Sequence, residues 1–257
     1  MSDRCIWCAS PSADSSVEHI IPEAIGCPPQ FILPGTVVCQ SCNNGLAHLD
    51  RAVADEFDML SFMAGVPRKR RRPPVVASRG NVRGSVIDGV PTFTYNMEQN
   101  PVTAHDGVRV AAFRGGPRDI PISVSRRGRE VEVSGSTVFG SSPKFVRGLT
   151  KIAISSVAYF LGADRVRSPE FKAARSYVID GVGTRHALIQ VSSDSYHRNS
   201  VWPPFQDEAG RIAVTFRLAR VEFLLDLSSE ESILPIVEAK QLEQVGTQGW
   251  CVLPPRG

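Results

Sequence analysis

Apolar positions along the chain follow a helical spacing in two segments and a strand-like pattern in many others. Phe145, Leu149, Ile152 and Phe160 recur at intervals typical of one helix face, which predicts a helix that ends at Gly162. A second helical pattern covers residues 46–62. Short β-branched runs, many of them bounded by Gly, Pro or Asn, predict strands at 17–21, 36–38, 85–87, 92–95, 108–113, 120–124, 131–133, 177–179, 187–191, 212–216 and 221–225. The pattern predicts a mixed α+β fold with a β-rich body.

Composition supports a folded protein and argues against a membrane protein. The chain has 257 residues, of which 42% are hydrophobic and 21% are charged, as in ordinary globular domains. No apolar run approaches the roughly 18 residues that a membrane helix needs. The first residues, MSDRCIWC, lack the basic and apolar segments of a secretory signal. We therefore expect a soluble cytoplasmic protein with no membrane partner.

Charge divides the chain more sharply than the net charge of +3 suggests. Residues 1–62 hold two basic and eight acidic residues, whereas residues 63–80 hold six basic residues and no acidic one. An acidic head suits carboxylates gathered around a metal better than simple coating of nucleic acid. The predicted organisation is a head at 1–65, a basic Pro-rich linker at 66–80 and an α+β domain at 81–257.

The linker contains a run of basic residues flanked by prolines, which favours an extended chain. This run is a candidate for contacts with nucleic-acid phosphates, and a solvated linker is the alternative. Three further basic residues lie roughly on one helix face and are candidates to extend the same surface: Lys144, Arg147 and Lys151. The run consists of Arg68, Lys69, Arg70, Arg71 and Arg72.

Four of the six cysteines form two knuckles with the spacing of a zinc site. Cys5 and Cys8 make the first pair, and Cys39 and Cys42 make the second. A gap of two residues lets both sulfurs of a pair face one ion, and two pairs complete a tetrahedral thiolate site. Such a site leaves no open coordination position, so the spacing predicts structural zinc.

The order of these motifs resembles the zinc-stapled HNH endonucleases, also called ββα-metal or His-Me finger nucleases. The first knuckle is followed by Glu18-His19-Ile20-Ile21-Pro22, and the second knuckle runs directly into Asn43-Asn44. The resemblance covers residues 1 to about 62 and implies an N-terminal ββα-metal finger. It also implies Glu18 as a ligand of a catalytic Mg²⁺ or Mn²⁺ ion, His19 as the general base and Asn43 as the ligand from the helix.

The chain departs from the family pattern at two positions. The stretch 31–35 has no Asn where the family usually carries one before the second knuckle. The residue four positions after Asn43 is Ala47, where some members carry a second histidine ligand, and His48 instead lies four positions after Asn44. Two alternatives stay open: Asn43 acts with Glu18, which we favour, or Asn44 and His48 form the helix pair.

The motifs and the resemblance together predict a metal-dependent endonuclease that hydrolyses DNA phosphodiester bonds. Proteins of this family and size resemble restriction enzymes, phage-defence enzymes and mobile-element nucleases, and the sequence does not choose among these settings. The C-terminal domain would recognise a target or bind a protein partner, and a homodimer is a further candidate arrangement. Two alternatives remain at this point. One is a non-catalytic zinc module that binds nucleic acid or protein, and the other is a nuclease that cleaves RNA.

Overall fold

A computed structural model describes residues 4–11, 16–63, 139–140, 142–191, 198–206, 208, 211–228 and 250–253, together with the backbone of the strands between residues 76 and 135. The helices are α1 (Gln40–Glu56), α2 (Asp58–Met63), α3 (Pro143–Leu161), α4 (Ala163–Arg167) and α5 (Lys172–Asp180). The strands are β1 (Glu18–His19), β2 (Ile32–Leu33), β3 (Val76–Arg79), β4 (Val82–Ile87), β5 (Val90–Tyr95), β6 (Thr103–His105), β7 (Val108–Ala112), β8 (Ile122–Arg127), β9 (Glu130–Gly135), β10 (Ala187–Val191), β11 (Ser200–Val201), β12 (Phe205–Gln206), β13 (Ile212–Leu218), β14 (Val221–Asp226) and β15 (Cys251–Leu253). Short 3-10 helices lie at Glu23–Ile25 and Pro169–Phe171. The predicted mixed α+β class is confirmed.

The chain divides into two compact units. The first unit combines Met1–Phe57 with Gly140–Gly257, and the second is Asp58–Phe139. This grouping differs from the predicted arrangement, which kept residues 81–257 together and separate from the head. The difference has a physical reason, since α1 of the head packs directly against α3.

The core of the first unit lies between α3 and one face of an antiparallel sheet. The strand order is β11-β13-β14-β10-β15, and β12 also pairs with β13. Phe216 and Phe223 face each other across β13 and β14, and their rings stack with centroids 5.2 Å apart. Phe223 also contacts Phe145 of α3 and Phe57, at centroid distances of 6.2 and 6.1 Å. These aromatic rings therefore join the sheet to both long helices.

Helices α1 and α3 approach each other closely at Gly148. A Cβ atom built on this glycine would lie 2.5 Å from Cγ2 of Val53 and 2.8 Å from the carbonyl oxygen of Leu49. Both neighbours belong to α1, so only glycine lets the two helix backbones come this near. Helix α3 is buried along most of its length because α1 covers one side and the sheet another.

The second unit is built from antiparallel strands and the short helix α2. Strands β3, β4 and β5 form one sheet, and β6, β7, β8 and β9 form another. Strands β4, β5, β7, β8 and β9 overlap segments that the sequence predicted as strands, whereas β3 and β6 were not predicted. Strands β10, β13 and β14 in the first unit also overlap predicted strands, and α3 overlaps the predicted helix with its end at Gly162.

Two strand predictions are wrong, and both errors have local causes. Residues 177–179 belong to the last turn of α5, in which Ala174, Tyr177 and Val178 are buried at helical spacing. Residues 36–38 form a turn in which Val37 donates its N–H to the carbonyl of Pro34. The second strand of the head lies earlier, at Ile32–Leu33, and pairs with β1.

The predicted helix at 46–62 is also placed differently. Helix α1 begins at Gln40, so Cys42 and Asn43 lie inside its first turn, and it ends at Glu56. The head therefore has the order strand, strand, helix, with the helix starting within the second cysteine knuckle.

Candidate functional site

The four knuckle cysteines lie together at the start of α1. The sulfur atoms of Cys5, Cys8, Cys39 and Cys42 all lie within 4.8 Å of one another. The sulfurs of Cys8 and Cys39 are 3.7 Å apart. Zinc–sulfur bonds of about 2.3 Å place the sulfurs of a tetrahedral site about 3.8 Å apart, so the cluster fits a metal ion such as zinc.

The backbone around the first knuckle is folded tightly. Trp7 donates its N–H to the sulfur of Cys5, and Ala9 donates its N–H to the carbonyl of Cys5. Ala9 has a φ of 58°, in the left-handed region that favours glycine. Ile6 donates its N–H to the carbonyl of Val37, which ties the first knuckle to the turn before the second one.

The thiols of the cluster differ in acidity because their surroundings differ. Burial raises the pKa of Cys5 and, together with the neighbouring thiols, that of Cys42. Burial also opposes ionisation of Cys8, yet hydrogen bonds with Ser10, Cys42 and Cys39 outweigh it and lower the pKa of Cys8 to about 6. Because metal ligation requires thiolates, a bound ion would displace protons from the cluster.

Asn43 connects helix α1 to the first strand. Its side-chain amide donates to the carbonyl oxygen of Val17, at 2.9 Å, and to the hydroxyl of Ser16. Asn44 and His48 lie on the exposed side of α1, and Nδ1 of His48 is 2.8 Å from the carbonyl oxygen of Gly45. Of the two alternatives for the helix, Asn43 is therefore the residue placed beside the strand that carries Glu18 and His19.

Glu18 is turned into the core, where it meets a buried lysine from α3. Oε1 of Glu18 is 2.7 Å from Nζ of Lys151, and both residues are 1% exposed. Nζ of Lys151 also donates to both carboxylate oxygens of Asp50 in α1, at 2.8 Å each. The three side chains, which we call the buried ion cluster, join β1, α1 and α3; Glu18 and Lys151 are buried, and the Asp50 side chain is 29% exposed.

Burial and mutual attraction act in opposite directions on this cluster. Burial would lower the pKa of Lys151, yet the carboxylates of Glu18 and Asp50 outweigh it and raise that pKa. Burial raises the pKa of Glu18, and the nearby ammonium offsets this only in part. Lys151 is therefore held as an ammonium, and the cluster depends on its charge.

His19 lies on the other side of the same strand. Successive residues of a strand point to opposite faces, so a buried Glu18 turns His19 outward. The partners in β2 follow the same rule: Leu33, opposite Glu18, is buried, and Ile32, opposite His19, is partly exposed. The structure thus brings His19 to the surface and keeps the Glu18 carboxylate away from it.

These positions do not make a site for a catalytic divalent ion as the sequence predicted it. The Glu18 carboxylate is buried against an ammonium group. Within the part of the chain that the structure describes, the four cysteines are the only group of three or more His, Cys, Asp or Glu side chains that converge as metal ligands. The donor set around β1 therefore does not fit Mg²⁺ or Mn²⁺, which prefer several oxygen ligands.

The basic residues proposed for nucleic-acid contacts differ in where they lie in the structure. Arg68, Lys69, Arg70, Arg71 and Arg72 lie outside the described residues. On α3, Lys144 is exposed, whereas Arg147 donates to the carbonyls at the end of α5 and Lys151 is buried. The prediction that these three side chains share a basic surface is wrong because α3 is a core helix.

Sequence reasoning missed the residues that attach the head to the rest of the first unit. Lys151 was assigned to a surface, although its position among the apolar residues of α3 was a signal for burial. Asn199 was not singled out. Its amide donates to the carbonyls of Ile25 and Gly26, and its oxygen accepts the N–H of Ala219 in the turn between β13 and β14.

Comparisons with known proteins give no match: no protein-family model, no curated protein and no solved structure matches this chain. In the part of the chain that the structure describes, no helix has the length and apolar character needed to cross a membrane.

Proposed function

We propose that the head is a zinc-stapled nuclease site that hydrolyses phosphodiester bonds in DNA, with His19 as the general base. The observation that carries the proposal is the arrangement of the head itself. Four convergent cysteines lie at the start of α1, Asn43 of that helix bonds to the carbonyl of Val17, and the two-stranded ribbon that follows carries His19 on its partly exposed face. A structural zinc ion in the cysteine cluster would fix this arrangement.

The chemistry assigned to His19 follows from its side chain and its exposure. A neutral imidazole can accept a proton from the water molecule that attacks the phosphate, and histidine is suited to this near neutral pH. One P–O ester bond breaks as the new P–O bond forms, and the leaving sugar oxygen takes up a proton from solvent. A partly exposed position on the outer face of β1 lets a polymeric substrate reach the ring. Asn43 holds the backbone at Val17, two residues before His19, and so limits the movement of the base.

A divalent ion would supply charge stabilisation at the scissile phosphate if the site held one. The side chains around Glu18 do not offer the oxygen ligands that such an ion prefers, so the proposed role of His19 does not depend on a bound ion. The basic run at residues 68–72 is the proposed source of phosphate contacts, because its positive charges attract the negatively charged backbone of nucleic acid.

A second candidate function is a non-catalytic zinc module that binds nucleic acid or protein. One specific observation favours it: the carboxylate expected to hold the catalytic ion is already paired with Lys151. On this view, the cysteine cluster and the buried ion cluster both serve stability, and His19 is a surface residue.

Incubation of the purified protein with supercoiled plasmid, linear duplex, single-stranded DNA and RNA, each with Mg²⁺, Mn²⁺ or a chelator, tests the proposal. We expect nicks or breaks in the duplex substrates. Binding without cleavage under all conditions would support the non-catalytic module instead. Cleavage confined to RNA would keep the nuclease site and change its substrate.

A further inference from the structure

The first strand of the head is too short to fix its own orientation. Strand β1 has two residues, and its ladder with β2 joins only Glu18 to Leu33 and His19 to Ile32. An isolated two-stranded ribbon is marginal in water even when it is longer. A slip by one residue would exchange the faces of Glu18 and His19, because side chains alternate along a strand. Contacts from outside the ribbon must therefore select the face that each residue occupies.

One of these contacts is the ion pair between Glu18 and Lys151. Both side chains are nearly inaccessible to solvent, and Lys151 comes from the middle of α3 rather than from the head. Asp50 holds the same ammonium from α1, so the lysine is fixed from two sides before it meets the strand. A carboxylate held in this way cannot turn outward without leaving a buried ammonium with one fewer counter-charge.

We propose that Lys151 is a positioning residue for His19, and that Glu18 anchors β1 to α3 instead of binding a divalent ion. Drawing Glu18 into the core orients the next residue, His19, toward solvent. Helix α3 is then an obligatory part of the site, although it lies far from the head in the sequence. This inference rests on the proposed function for the role of His19, whereas the anchoring of Glu18 stands on the contacts alone.

The two roles of Glu18 make opposite demands on Lys151. If Glu18 were a ligand, the lysine would compete with the divalent ion for the same carboxylate, so its removal would strengthen ion binding. If Glu18 is an anchor, removal of the lysine leaves two carboxylates without their counter-charge and releases the strand. A ligand role for Glu18 therefore predicts tighter ion binding without Lys151, and an anchor role predicts a destabilised strand without it. Substitution of Lys151 distinguishes the two roles.

The first measurement is a double-mutant cycle in the full-length protein. We expect Lys151→Met to raise the unfolding equilibrium constant by about 10²–10³-fold, since breaking a buried pair leaves an uncompensated charge. Adding Glu18→Gln to Lys151→Met should lower the unfolding equilibrium constant again by at least about tenfold, because one of the uncompensated charges is removed. Lys144→Met, an exposed lysine on the same helix, is the matched control and should change little. Independent, multiplicative effects of the two core substitutions would overturn the anchor.

The second measurement examines the ribbon and the reaction under conditions in which every variant is folded. Lys151→Met should speed hydrogen exchange at the amide of Ile20, which donates to the carbonyl of Phe31, and the Lys144→Met control should not. It should lower the cleavage rate constant at saturating DNA while leaving DNA affinity unchanged. Half-maximal cleavage at a lower Mg²⁺ concentration in Lys151→Met would identify Glu18 as a ligand and overturn the proposal.

Failure of this inference can be distinguished from failure of the proposed function. If the wild-type protein cleaves no substrate, the nuclease proposal fails, and the stability cycle and the exchange rate still decide whether Glu18 is anchored by Lys151. If the wild-type protein cleaves DNA and Lys151→Met keeps the full rate constant, the nuclease proposal stands and the positioning role is wrong.

Discussion

Cys39 combines two tasks in one residue. It occupies the N-cap position of α1, where its carbonyl accepts the N–H of Asn43, and its sulfur lies 3.7 Å from that of Cys8 in the first knuckle. A metal ion held by this sulfur would tie the helix start to a segment about thirty residues earlier in the chain. In small metal units of this kind, the free energy of binding zinc is part of the free energy of folding, about 10–16 kcal/mol in isolated finger peptides.

Cys39→Ser is therefore expected to remove the metal and to destabilise the first unit. Serine keeps the size of the side chain but is a poor zinc ligand. Cys251→Ser, at an exposed cysteine outside the cluster, is the matched control. Metal analysis and thermal unfolding of both variants provide the test. One zinc per chain and unchanged stability in Cys39→Ser would show that this sulfur holds no metal.

The sequence predicted the cysteine cluster but not the buried ion cluster. Two Cys-x2-Cys pairs predict convergence because each pair is a local geometry that needs one ion to complete it. The contact between Lys151 and Asp50 joins residues 101 positions apart, and no local pattern relates them. Glu18 meets the same lysine, which lies far from it in the sequence. The motif around Glu18 contains no sign of that lysine, so the motif alone predicted a metal-ligand role.

Helices α1 and α3 depend on one small residue for their contact. Gly148 lies inside α3, in its second turn, where glycine normally costs about 0.5–1 kcal/mol relative to alanine. The close approach of Val53 and Leu49 is the reason that glycine is needed there. The packing of α1 on α3 in turn brings Asp50 and Lys151 together.

Gly148→Ala is expected to destabilise the protein by about 1–3 kcal/mol, because the added methyl group would overlap α1. Gly45→Ala provides the control on the other helix. No atom lies within 4 Å of the position its Cβ would take, so helix propensity should make this substitution neutral or stabilising by up to about 1 kcal/mol. Chemical denaturation measures both. Equal effects at the two glycines would contradict the close helix contact.

Elements with strong periodicity were predicted well, and elements decided by packing were not. Strands β10 and β14 and helix α3 were predicted within a few residues of their observed bounds, since β10 is a short apolar run, β14 begins with alternating burial and α3 has helical spacing. Residues 177–179 are all aromatic or β-branched, which favours a strand, yet Ala174, Tyr177 and Val178 are buried on one side of helix α5. In the head, Pro34 and Gly35 favour a turn where a strand was expected.

At the scale of the whole molecule, the head is integrated into the first unit rather than attached as a separate module. Glu18 reaches α3 through Lys151, and Asn199 links the loop at Ile25 and Gly26 to the turn at Ala219. The aromatic cluster around Phe223 includes Phe57, directly after α1. The predicted division at residue 65 followed composition and charge, which do not reveal such contacts. A nuclease built in this way would use its C-terminal segments to hold the site as well as to select a target.

The central claim is that His19 acts as the base of a phosphodiester-cleaving site, and its most direct test is the single-turnover rate of plasmid nicking by His19→Ala. A positioned general base typically contributes about 10²–10⁴-fold, so the rate should fall by that factor. Zinc content and the unfolding midpoint should change little, because the side chain is partly exposed and lies outside the cysteine cluster. His186→Ala, at a histidine just before β10, should retain the wild-type rate. Full nicking activity in His19→Ala would contradict the account.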